Sequence, residues 1–217
     1  MQLGNSHSVF IVMGLCDETL KARIQRKGFN GDEARWVAAR ELCEGLGYLH
    51  GLQKAITHRD LKPSNVLFKG SCLKIADMGQ SRILRMGETA VPTGSRGGTQ
   101  GWMSPEEIRW CNGGSTRGVP FRARLSGDVH SAGSLLFYIL SDGKHCFGPN
   151  AMRQQVNIVD GSPDFTPVVR RAKSANFCRD ASSCHVAGGR WVVCRSLFTA
   201  SFAWRRPTRS PSTWSRG

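Results

Sequence analysis

Between residues 58 and 77 the chain concentrates side chains that can do chemistry. His58-Arg59-Asp60-Leu61-Lys62-Pro63-Ser64-Asn65 holds a proton acceptor, a cation and an amide, and Asp77-Met78-Gly79 adds a second carboxylate twelve residues after Asn65. Hard magnesium prefers oxygen ligands, which Asn65 and Asp77 can supply. A carboxylate at Asp60 orients a weak nucleophile better than it deprotonates one. Together these groups are the equipment for moving a phosphoryl group from a magnesium nucleotide to a hydroxyl, with positioning supplying most of the catalysis.

Such groups need elements to hold them. Val9-Phe10-Ile11-Val12-Met13 predicts a short buried strand. A helix is expected from about Glu18 to Lys27, with Leu20 and Ile24 on one face. Asn30-Gly31-Asp32-Glu33 is a turn whose acids suit a helix N-terminus. Ala34, Val37, Ala38, Leu42, Leu46 and Leu49 then recur at three- and four-residue steps up to His50-Gly51. The octet falls on the next loop, between two short strand candidates. Val66-Leu67-Phe68 and Cys72-Leu73-Lys74-Ile75-Ala76 pair across a Lys69-Gly70-Ser71 turn, which sets Asn65 and Asp77 on either side of one hairpin. Residues 79–101, rich in Gly, Ser and Thr and without a period, read as a mobile loop. Asp128 opens the most apolar helix, through Ala132, Leu135, Leu136, Phe137, Ile139 and Leu140, which belongs at the centre of a domain. Met152 to Val159 forms one more helix, opened by Pro149-Asn150.

The 217 residues suit one domain, or one domain and a tail, and 40% hydrophobic content is enough for a core. No run approaches the length of a membrane span, and Met1 to Val12 lacks the pattern of a secretory signal. Cys16, Cys43, Cys72, Cys111 and Cys146 are scattered and read as reduced, mostly packing thiols. The formal charge of +14 is unevenly spread: residues 166–217 hold 10 Lys/Arg against 1 Asp/Glu, leaving 20 against 15 upstream. Most of the basicity therefore sits in the tail, away from the recognisable chemistry. Beyond Phe165 helical periodicity stops, and the end is expected to be a disordered basic tail. Its Cys178, Cys184, His185 and Cys194 lack paired Cys-x-x-Cys spacing, which argues against zinc.

Residues 9–165 resemble the C-terminal lobe of eukaryotic protein kinases. The resemblance implies an α+β, protein-kinase-like fold, mainly the α-helical C-terminal lobe, with most of the N-terminal lobe absent. Residues 1–165 would be a partial kinase domain of hinge and C-lobe, and 166–217 a basic tail of doubtful origin. In the octet Asp60 matches the residue that accepts the substrate hydroxyl proton, Lys62 the lysine that steadies the transferred phosphate, and Asn65 a magnesium ligand. Lys62 is typical of serine/threonine rather than tyrosine kinases. Asp77 matches the metal-bridging aspartate of the Asp-Phe-Gly motif, with Met78 replacing Phe.

In Gly98-Thr99-Gln100-Gly101-Trp102-Met103-Ser104-Pro105-Glu106, Thr99 matches the threonine that touches the catalytic Asp and Lys, and Ser-Pro-Glu stands for Ala-Pro-Glu. Thr89, Thr93 and Ser95 are candidate phosphorylation sites, and in the family a phosphorylated activation loop docks near Arg59. Asp128 matches an aspartate that holds the catalytic loop's backbone, and His58 reads as a packed loop anchor. Met13-Gly14-Leu15-Cys16 fits the hinge beside adenine, with Met13 as gatekeeper and Leu67 as the floor of the base pocket. ATP and Mg2+ are the implied cofactors, so the cofactor-binding set is Met13, Leu15, Cys16, Leu67 and Asp77.

A narrower resemblance is to the unfolded-protein-sensing kinase–endoribonucleases of the endoplasmic reticulum. It rests on Gly14-Leu15-Cys16 with Thr19-Leu20, Gly98-Thr99-Gln100-Gly101-Trp102, Ser131-Ala132-Gly133, Phe137-Tyr138 and His145-Cys146-Phe147-Gly148, with Cys146 where Pro is expected. It implies a protein substrate or self as phosphoryl acceptor, a kinase-domain dimer, no direct membrane contact, and a cytoplasmic location, on the cytosolic face of that membrane if the chain is part of a longer sensor kinase. No Gly-x-Gly-x-x-Gly or Val-Ala-x-Lys pattern occurs upstream of Met13, so weak or no kinase activity is expected of this chain alone. Glu106, with no late arginine to pair it, is expected to be half-buried and unpaired. The alternatives are a catalytically inactive kinase-like interaction module and, last, RNA binding by the basic tail.

Overall fold

The computed structural model describes residues 12–93, 97–113 and 120–168. A two-residue strand, β1 (Glu18–Thr19), runs straight into α1 (Leu20–Gln25). The hydroxyl of Thr19 accepts from the Ala22 N–H at 3.0 Å and caps the helix. Leu20 and Ile24 are its buried face, as their spacing predicts. The long helix α2 (Gly31–Gly51) has Asp32 and Glu33 in its first turn and buries Ala38, Leu42, Leu46 and Leu49 along one stripe. Beyond it come β2 (Ile56–Thr57), β3 (Val66–Lys69), β4 (Cys72–Ile75), a 3-10 turn at Met78–Gln80, β5 (Arg82–Ile83) and β6 (Val91–Thr93). Then follow α3 (Pro105–Cys111), β7 (Phe121–Ala123), α4 (Leu125–Leu140) and α5 (Ala151–Asp160).

Three small antiparallel sheets stand beside the helices: β1-β3-β4, β2-β5 and β6-β7. This is the α+β architecture expected. Helix α4 buries Leu135, Leu136, Phe137, Ile139 and Leu140 and is the central pillar. On one side α2 packs on it and on β4. Leu42, Leu46, Leu61, Val66 and Phe68 meet Leu135 and Ile139 there in the main core. A second cluster joins Phe137 to Met103, Ile108, Cys146, Phe147 and Ile158, tying α3 and α5 to the pillar. Cys146 is 1% exposed, and burial pushes its thiol up to about 11, so it packs there as a small hydrophobe. All five cysteines among the described residues are free thiols.

Some expectations need correction. Val12 and Met13 form no strand and are 98% and 76% exposed, because no described strand pairs with them; residues 9–11 lie outside the described set. The β3–β4 turn is Gly70-Ser71, one residue shorter than expected, with Lys69 opposite Cys72 and Gly70 at φ 60°. The segment 79–101 is not one structureless loop: β5 pairs with β2, and β6 pairs with β7. Strands of two or three residues are held by distant partners and are too short to show a period. Helix α4 starts at Leu125, so Asp128 falls in its first turn rather than at its cap. Residues from 169 on, with the basic tail and its cysteines, lie outside the described residues, as does Ser95. Among the described residues no helix is long and apolar enough to cross a membrane.

Candidate active site

The hairpin and the loop before it are fixed from two directions. The β3–β4 register puts Val66 opposite Ile75, and the Ala76 N–H donates to the Asn65 carbonyl at 2.9 Å. Asn65 and Asp77 therefore flank the open end of the hairpin. From the other side, the buried carboxylate of Asp128 accepts the main-chain N–H of His58 at 2.7 Å and of Arg59 at 2.8 Å. His50 on α2 adds a third contact to it at 2.9 Å. These bonds hold Arg59 at φ 71°, a conformation that a non-glycine residue adopts only under constraint. His58 is fully buried; its Nε2 lies 2.9 Å from the Ala76 carbonyl, and its Nδ1 accepts the Asp60 N–H at 3.3 Å. It anchors the loop, as expected.

The result is a carboxylate held by three side chains. Asp60 Oδ1 accepts the Thr99 hydroxyl at 2.7 Å, and Oδ2 accepts Lys62 Nζ at 2.7 Å and Asn65 Nδ2 at 3.1 Å. Lys62 Nζ also donates to Thr99 Oγ1 at 2.9 Å, closing a triangle. Burial alone would raise the Asp60 carboxyl, but the bonds from Lys62, Thr99 and Asn65 and the Lys62 charge outweigh it and hold it below the ordinary value. The group is thus ionised at neutral pH and a weak base. A carboxylate offers about four acceptor sites, so one is left over for an incoming hydroxyl.

Asn65 Nδ2 is spent on Asp60, on its carbonyl oxygen at 2.9 Å as well as on Oδ2, which leaves the amide oxygen of Asn65 turned to other partners. Asp77 is exposed at φ 65°, with Oδ1 accepting the Gly79 N–H at 3.2 Å. Among the described residues no three His, Cys, Asp or Glu gather into a metal cage. One carboxylate and one amide oxygen do suit magnesium, which keeps waters and binds substrate phosphates rather than an all-protein cage. The other expected nucleotide contacts are less assembled. Met13 and Leu15 are 76% and 87% exposed. Cys16 and Leu67 are half-buried on neighbouring segments, tied together by the Asp17 N–H on the Phe68 carbonyl and by Thr19 opposite Leu67.

Two neighbouring glutamates reverse an expectation. Ser104 caps α3, with Pro105 in its first turn, and its Oγ accepts the Glu107 N–H at 3.4 Å. That rotation turns Glu106 out to solvent, so it is not half-buried, and it turns Glu107 inward, where it is 7% exposed. Glu107 Oε1 lies 3.8 Å from Arg59 Nη2. Burial pushes the Glu107 carboxyl up to about 7; Arg59 opposes this, while Asp128 and Asp60 add to it. The Ser-x-x-Glu spacing was the only sequence signal for Glu107. Thr93 is also unlike its expectation: it is 2% exposed within β6, where no enzyme could reach its hydroxyl without opening the sheet. Thr89 is exposed.

A family model described as protein kinase domain matches residues 2–183. The chain is 32% identical over 162 residues to the human serine/threonine-protein kinase/endoribonuclease IRE2, covering 71% of this chain and 16% of that protein. It is 39% identical over 131 residues to the serine/threonine-protein kinase/endoribonuclease IRE1b of Arabidopsis thaliana, covering 58% and 13%. A probable serine/threonine-protein kinase of Dictyostelium discoideum, irlA, is 28% identical over 140 residues, covering 64% and 9%. The chain thus spans less than a fifth of the length of these relatives.

Proposed function

Since the chain belongs to the protein kinase family, we propose that it transfers the γ-phosphoryl group of ATP to serine and threonine hydroxyls, with Asp60, Lys62, Asn65 and Thr99 as its catalytic set. The observation that carries this reading is the Asp60 carboxylate, ionised and held by Thr99, Lys62 and Asn65 with one acceptor site to spare. An acceptor hydroxyl donating to that site points its oxygen at the γ-phosphorus. The new P–O bond forms as the bond to ADP breaks, and the hydroxyl proton leaves through Asp60 to water. Lys62 places a cation beside the transferred group. A bound divalent cation supplies charge neutralisation on the phosphates, and Asn65 and Asp77 are the residues proposed to hold it, as magnesium. Met13, Leu15, Cys16 and Leu67 are proposed to line the adenine side.

Residues 1–165 are proposed as the kinase unit and 166–217 as a basic appendage. A protein substrate or a second copy of the same chain is the proposed acceptor, with a kinase-domain dimer as the setting for the latter. The cytosolic face of the endoplasmic reticulum membrane is the proposed location, by likeness to the kinase–endoribonucleases. The 217 residues hold no Gly-x-Gly-x-x-Gly or Val-Ala-x-Lys pattern, so transfer by this chain alone is proposed to be slow. The purified chain with magnesium ATP and a basic acceptor protein should incorporate phosphate over long incubations and lose this on Asp60→Asn. Incorporation that survives Asp60→Asn would take Asp60 out of the catalytic set, whereas no incorporation and no magnesium-dependent thermal shift with ATP would favour an inactive interaction module instead.

A further inference from the structure

Glu107 is the carboxylate to which phosphoryl transfer gives no task. In a Ser-x-x-Glu start, the third-position glutamate ordinarily reaches back to the capping residue's own N–H. Here only half of that exchange is made: Ser104 Oγ accepts the Glu107 N–H, while Glu107 Oε1 has no hydrogen-bond partner among the described residues. The carboxyl is turned instead toward Arg59, with Oε1 3.8 Å from Nη2. Its other oxygen comes against Gly98, 3.4 Å from where a Cβ on that residue would stand.

Arg59 is a junction. Its side chain is 3% exposed, and its Nη1 donates to the Gln80 carbonyl at 3.3 Å, three residues past Asp77. A Cβ on Gly97 would collide with the guanidinium, so the backbone of that residue lies directly against it. One planar cation therefore joins the segment after Asp77, the segment just before Thr99, and helix α3. Its own main chain leads into Asp60. Arg59 and Glu107 also share the wall of a cavity of about 290 Å³, which Glu106, Arg122, Arg124 and Asp128 line as well.

We infer that Glu107 is a positioning residue for phosphoryl transfer: through Arg59 it draws the Gly97–Gly98 backbone onto the catalytic loop and so sets Thr99 against Asp60. The inference rests on reading Asp60 as the group that orients the acceptor hydroxyl. The facing charges are Arg59 and Asp60 on the loop and Asp128 on α4, with Arg82 acting on Arg59 from β5 and Arg122 and Arg124 bordering the cavity. Glu106 is exposed and lines the same cavity, a further negative charge at its wall. At 3.8 Å the pair is too long to offset its own burial: burial lowers Arg59 and raises Glu107, so both shift toward neutrality. Ionised, Glu107 attracts Arg59 strongly; protonated, it offers only a neutral hydrogen bond. Tightening of the junction should therefore follow its deprotonation as pH rises through the neutral range.

The test uses the full 217-residue chain with magnesium ATP and a basic acceptor protein, as wild type, Glu107→Gln and Glu107→Asp. Single-turnover transfer is followed from about pH 6 to 8.5. The wild-type rate should climb through a transition near pH 7, while Glu107→Gln should run flat and about fivefold or more slower at pH 8, with nucleotide affinity unchanged. Glu107→Asp should restore part of the pH dependence. A Glu107→Gln rate equal to wild type at pH 8, or an unchanged pH profile, overturns the inference. A second readout does not need turnover. In chains carrying 13C-carboxyl glutamate and 15N arginine, the Arg59 guanidinium resonance should move with the Glu107 carboxyl titration and lose that movement in Glu107→Gln. An Arg59 resonance indifferent to Glu107 overturns it equally. Should wild type and Asp60→Asn both fail to transfer phosphate, the kinase reading fails, and the coupling of Arg59 to Glu107 is decided by the resonances alone.

Discussion

Thr99 donates its hydroxyl hydrogen to Asp60 Oδ1 at 2.7 Å, across 39 residues of sequence. This bond decides which way the Asp60 carboxylate faces, since Oδ2 is already held by Lys62 and Asn65. Thr99→Val keeps the shape and removes the donor. Phosphoryl transfer should fall by roughly ten- to a hundredfold while nucleotide affinity stays put, the signature of lost orientation. Thr99→Ser should retain most of the rate. Equal rates for the valine and serine variants would show that the bond has no part in the reaction.

Asp128→Ala should be far more damaging to the fold. Two buried main-chain donors, the N–H groups of His58 and Arg59, lose their acceptor together. Each unsatisfied buried donor costs about 1–3 kcal/mol, and the φ 71° conformation of Arg59 loses its support. Urea unfolding should show a loss of roughly 3–5 kcal/mol. Asp128→Asn, which keeps one carbonyl acceptor, should lie between.

Stability should fall as pH rises from about 4.5 to about 7 and then level off, as far as Glu107 governs it. Its folded value is raised, so the folded chain binds a proton that the unfolded chain has already released in that window. Glu107→Gln should flatten this slope and be the more stable protein at pH 8, by at most roughly 3 kcal/mol. Thermal unfolding at pH 5 and pH 8 for both proteins measures it; a wild-type chain that gains stability between those values through Glu107 would contradict the buried, raised carboxyl.

Asp77→Asn isolates the cation. Asp77 is exposed and adopts φ 65°, which asparagine tolerates as well as aspartate does, so the backbone should not move. The thermal midpoint without ligand should be unchanged within about 1 °C. The magnesium-dependent part of the shift produced by ATP should disappear. If that shift survives, the cation is held elsewhere.

The catalytic loop and hairpin were legible because their residues are contiguous and a two-residue turn leaves the pairing of Val66 with Ile75 little freedom. Thr99 and Asp128 were legible only through family resemblance, since bonds spanning 39 and 70 residues leave no local trace. Glu106 was expected to be half-buried, and Glu107 carried no expectation, because neighbours on a helix differ only by a rotation of about 100°, and the capping of a seven-residue helix fixes that rotation. Strands β5 and β6 escaped notice for a related reason: Arg82–Ile83 and Val91–Thr93 exist through partners at Ile56–Thr57 and Phe121–Ala123, not through their own pattern.

The imidazole of His58 bridges two segments with opposite ends of one ring. Because Nδ1 receives the Asp60 N–H, the proton must sit on Nε2, facing the Ala76 carbonyl. The ring is then a rigid strut whose length cannot change. The stretch leading into Asp77 and the stretch leading into Asp60 share it, so neither can swing away without dragging or releasing the other. Any local opening of this region should proceed with a single time constant, read alike by probes on either side of the strut.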